Sequence, residues 1–166
     1  MYNHPMRHHR LPLLLVFTLT AALAACQSRE VEKVLKVTDV DTGWYDVGVV
    51  NGENKLVPSV TFHLQNVSAE SIENVQINAV FRRMNEEESW GDRLIRGVGS
   101  DGLAAGATGR ALVVRNERGY TGSEPRLQML KHSQFIDAKV DLFARHGSRT
   151  WAKIGEFPIE RKLLTE

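Results

Sequence analysis

Apolar and polar side chains alternate in several short segments of this chain of 166 residues. In residues 57–65, Val60, Phe62 and Leu64 alternate with polar residues, and residues 135–145 show the same period of two. Successive side chains of a strand point to opposite faces of a sheet, so the pattern indicates strands that are buried on one face. The chain is therefore expected to form antiparallel sheets that cover each other's apolar faces.

Further segments of this kind bring the expected number of strands to seven or eight. The predicted strands occupy residues 31–40 and 44–50 (as one or two strands), 57–65, 75–82, 90–98, 110–115, 135–145 and 151–161. Pro125 opens a short helical turn predicted at residues 125–131, and no segment has the pattern of a long amphipathic helix. The predicted fold class is all-β, an antiparallel immunoglobulin-like sandwich.

The same patterns predict details of strand order and surface. Residues 57–65 and 75–82 flank a turn cluster, and we expect them to pair as a long antiparallel hairpin. Residues 110–115 are apolar on both faces, which favours a central position in a sheet. Asp137 and Asp141 alternate with Lys139 on an outward face, which is typical of a solvated surface with cross-strand ion pairs.

The N-terminal residues have the pattern of an export signal. Arg7 and Arg10 precede an apolar run from Leu11 to Ala25, which is short for a bilayer span of about 20 residues. A basic start, a short apolar run and small residues before a cleavage site together predict a helical signal peptide.

The end of the apolar run, Leu23-Ala24-Ala25-Cys26, resembles a bacterial lipobox. The resemblance implies that the thiol of Cys26 takes up a diacylglyceryl group through a thioether bond, and that cleavage follows between Ala25 and Cys26. The alternative is an ordinary signal peptide or a signal anchor with a chance cysteine. Because Cys26 is the single cysteine of the chain, no intramolecular disulfide can form.

The resemblance also divides the chain and implies a location. It implies a lipoprotein signal peptide at residues 1–25, a short acylated linker at 26–30 and a sandwich domain at 31–166. Acyl chains on Cys26 would hold the protein in a membrane. Because Gln27 is not an aspartate, the lipobox resemblance implies export to the outer membrane, facing the periplasm, rather than retention at the inner membrane.

A second resemblance concerns the folded part. Residues 60–68, a strand ending in Asn-x-Ser, and residues 72–77 after it resemble small bacterial sandwich domains of the FxLYD and related immunoglobulin-like kind. Residues 103–108 are similar to the Leu-x-x-Gly-x-Ser/Thr turn of such domains. The Phe-x-Leu-Tyr-Asp signature itself is absent. As a class these domains are binding or spacer modules without catalytic machinery, and the resemblance implies the same here.

Several motifs resemble known ligand-binding sites but are better interpreted as ordinary turns and surface residues. Residues 97–102 spell G-x-G-x-x-G, but no helix pattern follows, so a turn is predicted rather than a dinucleotide site. The Asp39-x-Asp41-x-Gly43 spacing lacks the remaining ligands of a calcium loop and is interpreted as a solvated turn. His63 and the other two histidines outside the signal segment, His132 and His146, are spaced too far apart for a predicted metal site and are interpreted as surface residues.

The net charge and the absence of catalytic motifs argue against two further classes of function, nucleic-acid binding and catalysis. The chain carries 21 basic and 20 acidic residues, a formal net charge of +1, which argues against a nucleic-acid binder. No Gly-x-Ser-x-Gly elbow or comparable catalytic motif is present, so the chain is not expected to be an enzyme or to need a cofactor.

Two sets of residues are candidates for contact with a partner. The first set is the three tryptophans, Trp44, Trp90 and Trp151. They could contact a partner if they were exposed at one end of the sandwich, but the favoured interpretation is that they lie in the core. Glu86, Glu87 and Glu88 form an acidic tip that serves solubility or docks a basic partner.

The expected function is a lipid-anchored cell-envelope protein with a non-catalytic binding or structural domain. One alternative is an accessory subunit of an envelope assembly, secretion or transport complex, which would have an envelope protein as its partner. A less favoured alternative is an enzyme whose site is invisible in the sequence.

Overall fold

The structure is a computed structural model that describes residues 30–165. The predicted signal peptide at 1–25 and the predicted linker up to residue 29 lie outside the described residues. The elements in chain order are α1 (Val31–Val34), β1 (Leu35–Val50), β2 (Glu53–Asn66), β3 (Val75–Arg83), β4 (Gly91–Val98), β5 (Leu112–Arg115), β6 (Tyr120–Gly122), α2 (Arg126–Met129), β7 (Ala138–His146), β8 (Ala152–Pro158) and β9 (Leu163–Leu164). Within this part of the chain, no helix has the length and apolar composition needed to cross a bilayer.

Two sheets form the sandwich. The first has the strand order β5-β2-β1-β9, with β6 also paired to β2, and the second has the order β4-β3-β7-β8. All pairs are antiparallel except β1 with β9. The predicted all-β sandwich is confirmed. The described residues form nine strands rather than seven or eight, because β6 and β9 are too short to show an alternating pattern.

The core lies between the two sheets and follows the alternation of the sequence. In β3, Ile77, Ala79 and Phe81 face inward and are fully buried, and Val140 and Leu142 do the same in β7. Each large apolar side chain contributes about 1.5–3 kcal/mol by leaving water. The sequence therefore predicts correctly which positions of these strands face the core.

The hairpin expected between segments 57–65 and 75–82 is wrong, because β2 and β3 belong to different sheets. The long hairpin of this fold joins β1 to β2 through Asn51 and Gly52. These residues have φ angles of 53° and 85°, which suit the two-residue turn that Asn-Gly favours. Since this tight turn pairs β2 with the strand before it, residues 67–74 carry the chain across to the second sheet.

Two further expectations about the strands are wrong. Strand β5 lies at the edge of its sheet, paired only with β2, and Val113 on its outer face is 51% exposed. The central position is taken by β2, whose other side pairs with β1. Segment 31–40 begins as the helix α1, and β1 then continues without a break from Leu35 to Val50.

Ion pairs cross the outer face of the second sheet, as the sequence predicts. Lys139 of β7 pairs with Glu156 of β8 at 3.3 Å. Asp141 differs from the prediction of a solvated position, since it is only 4% exposed. It lies between Arg82 and Lys153, with 2.7 Å from its Oδ1 to Lys153 Nζ, and the two cations compensate its loss of water.

Candidate functional site

The second sheet runs between two ends of the sandwich. Val75 pairs with His146 at one end, and Arg83 pairs with Ala138 at the other. Helix α1, at the start of the described chain, packs against β7 and β8, and Glu30 and His146 line the same recess. We call the end with His146 the proximal end and the end with Arg83 the distal end.

An aromatic cluster fills the distal end. The ring of Trp44 lies 6.2 Å from that of Trp90 and 4.7 Å from that of Phe135, and Tyr120 contacts all three rings. Trp44 is fully buried and belongs to the core, which is the favoured of the two sequence interpretations. It is therefore inaccessible to a partner, whereas Trp90 is half-buried at the rim.

The acidic tip lies beside this cluster, in the connection between β3 and β4. Glu87 and Glu88 are exposed, whereas Glu86 is half-buried and pairs with Arg83 at 2.9 Å. The guanidinium of Arg83 also lies over the Trp90 ring, 5.9 Å from its centroid. Arg83 thus links two of the candidates from the sequence, Trp90 and the tip.

A recess of 410 Å³ adjoins the aromatic cluster, and its walls include Tyr120, Met129 and Phe135. The Tyr120 hydroxyl donates to the Ile136 carbonyl oxygen at 3.1 Å, and burial raises the pKa of Tyr120. Among the described residues nine large apolar side chains are exposed, and six of them lie towards this end. They are Val47, Val49, Val50, Met84, Leu127 and Ile136.

No pattern discussed above for the sequence predicts these exposed apolar side chains. Val49 is 65% exposed and Leu127 is 57% exposed. Arg126, the neighbour of Leu127, pairs with Asp46 of β1, and this pair fixes α2 against the base of the β1–β2 turn. The arginine lowers the pKa of Asp46. The available signal was the valine-rich segment 47–50 next to Asn51-Gly52, because strand residues that flank a tight turn project beyond the core.

Trp151 lies at the proximal end, separated from the other two tryptophans by the length of the second sheet. It is half-buried, and the guanidinium of Arg145 lies over its ring, 4.6 Å from the centroid. Trp151 lines a recess of 410 Å³ together with Glu30, His146 and Arg149. The structure therefore groups Trp151 with arginines rather than with Trp44 and Trp90.

A second proximal recess, of 550 Å³, lies on the other side of Arg145. Arg96 also lines it, and Arg145 Nη2 donates to Gln76 Oε1. These arginines are not among the candidate residues predicted from the sequence. The available signal was the run of basic and aromatic residues around the turn Gly147-Ser148, in which Arg145, Arg149 and Trp151 come close together.

The structure also describes the two motifs that resemble a dinucleotide site and a calcium loop. Residues 97–102 form the end of β4 and a turn, without a helix after them, as the sequence predicts. Asp39 and Asp41 lie within β1 at a register shift, where Asp39 has a φ of 50°. The solvated turn expected there is therefore an irregularity of a long strand, and Asp41 pairs with Lys162.

The three histidines are not brought together. His63 is half-buried and its Nδ1 lies 2.8 Å from the Gly109 carbonyl oxygen, so it is less exposed than expected. His132 is exposed near the distal recess, and His146 is half-buried at the proximal end. Within residues 30–165, no group of three or more His, Cys, Asp or Glu side chains is arranged to hold a metal ion.

Comparisons with known proteins give weak likenesses. No family model matches the chain, and no curated protein matches it. The X-ray structure of the Northeast Structural Genomics Consortium target SoR45 is 12% identical, with a TM-score of 0.43, covering 78% of this chain and 89% of that one. The solution structure of AT1g01470 from Arabidopsis thaliana is 18% identical, with a TM-score of 0.39, covering 80% of this chain and 83% of that one. Because both TM-scores are below 0.5, we infer nothing about this chain from either structure.

Proposed function

We propose that this chain is a lipid-anchored protein of the cell envelope, placed at the outer membrane, whose sandwich is a non-catalytic binding or structural module. The observation that carries the proposal is the place of the single cysteine. Cys26 ends the lipobox-like segment Leu23-Ala24-Ala25-Cys26 and precedes the first described residue, Glu30, by only four residues.

This spacing gives the anchored domain an orientation. An extended chain covers roughly 3.3–3.6 Å per residue, so the four steps from Cys26 to Glu30 span at most about 14 Å. Glu30 lies at the proximal end, beside Trp151. Lipid on Cys26 would therefore keep the proximal end close to the bilayer and leave the distal end directed away from it.

The distal end suits contact with another protein. It combines the exposed apolar side chains, of which Val49 and Leu127 are the most exposed, with the half-buried ring of Trp90 and the acidic tip. Exposed apolar side chains rimmed by charge are typical of protein interaction surfaces. This observation favours the second candidate function, an accessory subunit of an envelope complex, as the form that the binding role takes.

Metabolic labelling and cell fractionation test the anchor. Cells that produce the full chain in the presence of radiolabelled palmitate are expected to label it and to retain it in the membrane fraction. The Cys26→Ala variant should lose both the label and the membrane association. A variant that still carries label and still fractionates with membranes would refute the proposal. Gln27→Ala leaves the cysteine in place and serves as the matched control.

A further inference from the structure

We propose that the proximal end of the sandwich docks on anionic lipid headgroups, with phosphate bound between Arg96 and Arg145 and with Trp151 in the interfacial layer. This inference rests on the proposed lipid anchor, because the anchor is what brings this end to the bilayer. It adds a ligand class and a binding site to the anchored protein.

The recess between Arg96 and Arg145 has the donors that a phosphate requires. Besides the two arginines, its walls include the residues Asn74, Ser100 and Ser148. Guanidinium, amide and hydroxyl groups all donate hydrogen bonds, and arginine matches the geometry of phosphate oxygens. None of the described residues that line this recess is acidic. The charge of the lining residues therefore favours an anion over a cation.

Arg145 is held in place before any ligand arrives. Its Nη2 donates to Gln76, its guanidinium stacks over Trp151, and its Nε is a buried atom without a hydrogen-bond partner among the described residues. Because the side chain is already ordered, binding through it costs less conformational entropy than binding through a free arginine. An arginine that Gln76 and Trp151 already hold in place distinguishes this recess from a surface that is only basic.

Trp151 supplies the apolar part of the contact. Tryptophan is enriched where the hydrocarbon of a bilayer meets its headgroups, because its ring is apolar and its N–H is polar. Arg149, which is exposed, lines the recess on the Trp151 side. The recess on the Trp151 side is also lined by Glu30 and Glu32, and Glu30 pairs with Lys33. Because these carboxylates repel an anion, we place the phosphate in the other recess, beside Arg96.

The tether decides which anion this end meets. With at most about 14 Å of chain between Cys26 and Glu30, the anchor would keep headgroups within reach of the proximal end and raise their effective concentration far above that of a free anion. A soluble acidic peptide would have to enter the narrow space between domain and bilayer. We therefore assign the recess to the headgroups of the membrane that carries the anchor.

Fluorescence quenching in vesicles tests the inference. The lipidated full chain is reconstituted into phosphatidylcholine vesicles with or without phosphatidylglycerol, both containing a lipid spin-labelled at the headgroup. We expect tryptophan quenching to be stronger with phosphatidylglycerol than without it, because the tether holds the proximal end near both bilayers and the anionic headgroup draws it into contact. The quenching should disappear in Trp151→Phe, since Trp44 is buried and Trp90 lies at the distal end. Equal quenching in the two kinds of vesicle would overturn the inference.

A matched pair of charge variants separates the recess from general electrostatics. Each basic residue close to an anionic bilayer strengthens association by about fivefold, so removal of both recess arginines in Arg96→Gln with Arg145→Gln should weaken headgroup contact roughly 30-fold. Arg118→Gln with Lys131→Gln removes the same charge from exposed residues of the distal half and should leave the quenching unchanged. Equal loss in both double variants, or loss in neither, would contradict the recess.

Two further measurements distinguish headgroup binding from binding of free phosphate, and failure of the docking from failure of the lipid anchor. Inorganic phosphate, compared with chloride at equal ionic strength, should leave the quenching unchanged, and its suppression would assign the recess to free phosphate instead. The mass of the purified chain reports the lipid on Cys26 independently. A lipidated chain without Trp151 quenching would refute the docking alone, whereas a chain without lipid would refute the proposed function.

Discussion

The side-chain amide of Asn66 donates to the carbonyl oxygen of Leu103 at 2.9 Å, inside the sandwich and across 37 positions of sequence. The same Nδ2 reaches the carbonyl oxygens of Glu70 at 2.7 Å and Ala104 at 3.1 Å. Asn66 Oδ1 accepts from the backbone N–H of Ser68 at 3.0 Å and from its hydroxyl at 2.7 Å. One buried side chain thus ties the end of β2 to two connections, the one that follows β2 at 67–74 and the one that precedes β5 at 99–111.

Replacing this amide by a carboxylate is expected to be strongly destabilising. In Asn66→Asp the donors to three carbonyl oxygens are lost and a charge is left without a cationic partner, which costs about 3–5 kcal/mol of unfolding free energy. Urea denaturation measures the loss. Asn54→Asp is the control: this half-buried amide donates to the Glu124 carbonyl oxygen at 2.8 Å, and losing that bond should cost only about 1 kcal/mol. An Asn66→Asp midpoint equal to that of the wild type would refute the structural role of Asn66.

The turn that joins β1 and β2 depends on Gly52. Its φ of 85° is favourable for glycine and strained for a β-branched residue, so Gly52→Val is expected to lower the unfolding free energy by about 1–2 kcal/mol. The loss would come from the backbone, since a Cβ at Gly52 meets no atom within 4 Å. Gly122→Ala is the control, because its Cβ would make only ordinary contacts and its φ is not positive. Equal thermal midpoints for Gly52→Val and wild type would contradict the turn.

Glu156 is expected to make the stability of the fold depend on pH in the acidic range. A hydrogen bond with Lys153, followed in size by those with Asp141 and Lys139, lowers the pKa of Glu156 from 4.5 to about 2. A pKa that is lower in the folded state contributes stability above the unfolded value, and that stability is lost as the pH falls from about 4.5 through about 2. Urea midpoints measured across this range should therefore fall less steeply in Glu156→Gln than in the wild type.

Salt and a second variant control this measurement. Glu156 is solvent-exposed, so high salt should reduce the difference between wild type and Glu156→Gln. Glu88→Gln, in the exposed acidic tip, should keep the wild-type slope. Parallel curves for wild type and Glu156→Gln at low salt would show that the ion pairs of β8 do not stabilise the fold.

The distal surface is expected to capture a protein partner. A photo-crosslinking amino acid at Leu127 or Val49, both exposed there, should give one adduct of defined mass in intact cells, and the same probe at the exposed Thr108 should give none. Leu127→Glu should weaken the interaction about tenfold or more, since an apolar contact residue commonly contributes over 1 kcal/mol. Adducts equally abundant at Thr108, or absent at both distal sites, would argue for a spacer role.

The sequence predicted the inward faces of the strands but not all of their neighbours. The inward positions of β3 and β7 follow from a period of two, which is a local property of the chain. The pairing of β2 with β1 instead of β3 depends on the Asn51-Gly52 turn, which competes with the longer connection 67–74. Strand β5 was predicted to be central because its residues are apolar on both faces. It lies at the edge of its sheet, where a valine such as Val113 can remain exposed to solvent.

The candidate site was predictable only in its residue types. Tryptophans and glutamates were identified from the sequence, but their grouping depends on strands that are far apart in the chain. Arg83 joins Trp90 to the acidic tip, and Arg145 stacks on Trp151 from the neighbouring strand. The burial of Asp141 was likewise hidden, because its cationic partners Arg82 and Lys153 come from the two flanking strands.

The intact mass of the chain purified from bacterial membranes tests the central claim most directly. A lipid-anchored protein should begin at Cys26, lack residues 1–25 and carry the added mass of a diacylglyceryl group on the thiol, with or without an acyl group on the new amine. Tandem fragmentation would place the added mass on the first residue. A mature chain with a free Cys26 thiol, or with its N-terminus at another residue, would contradict the account.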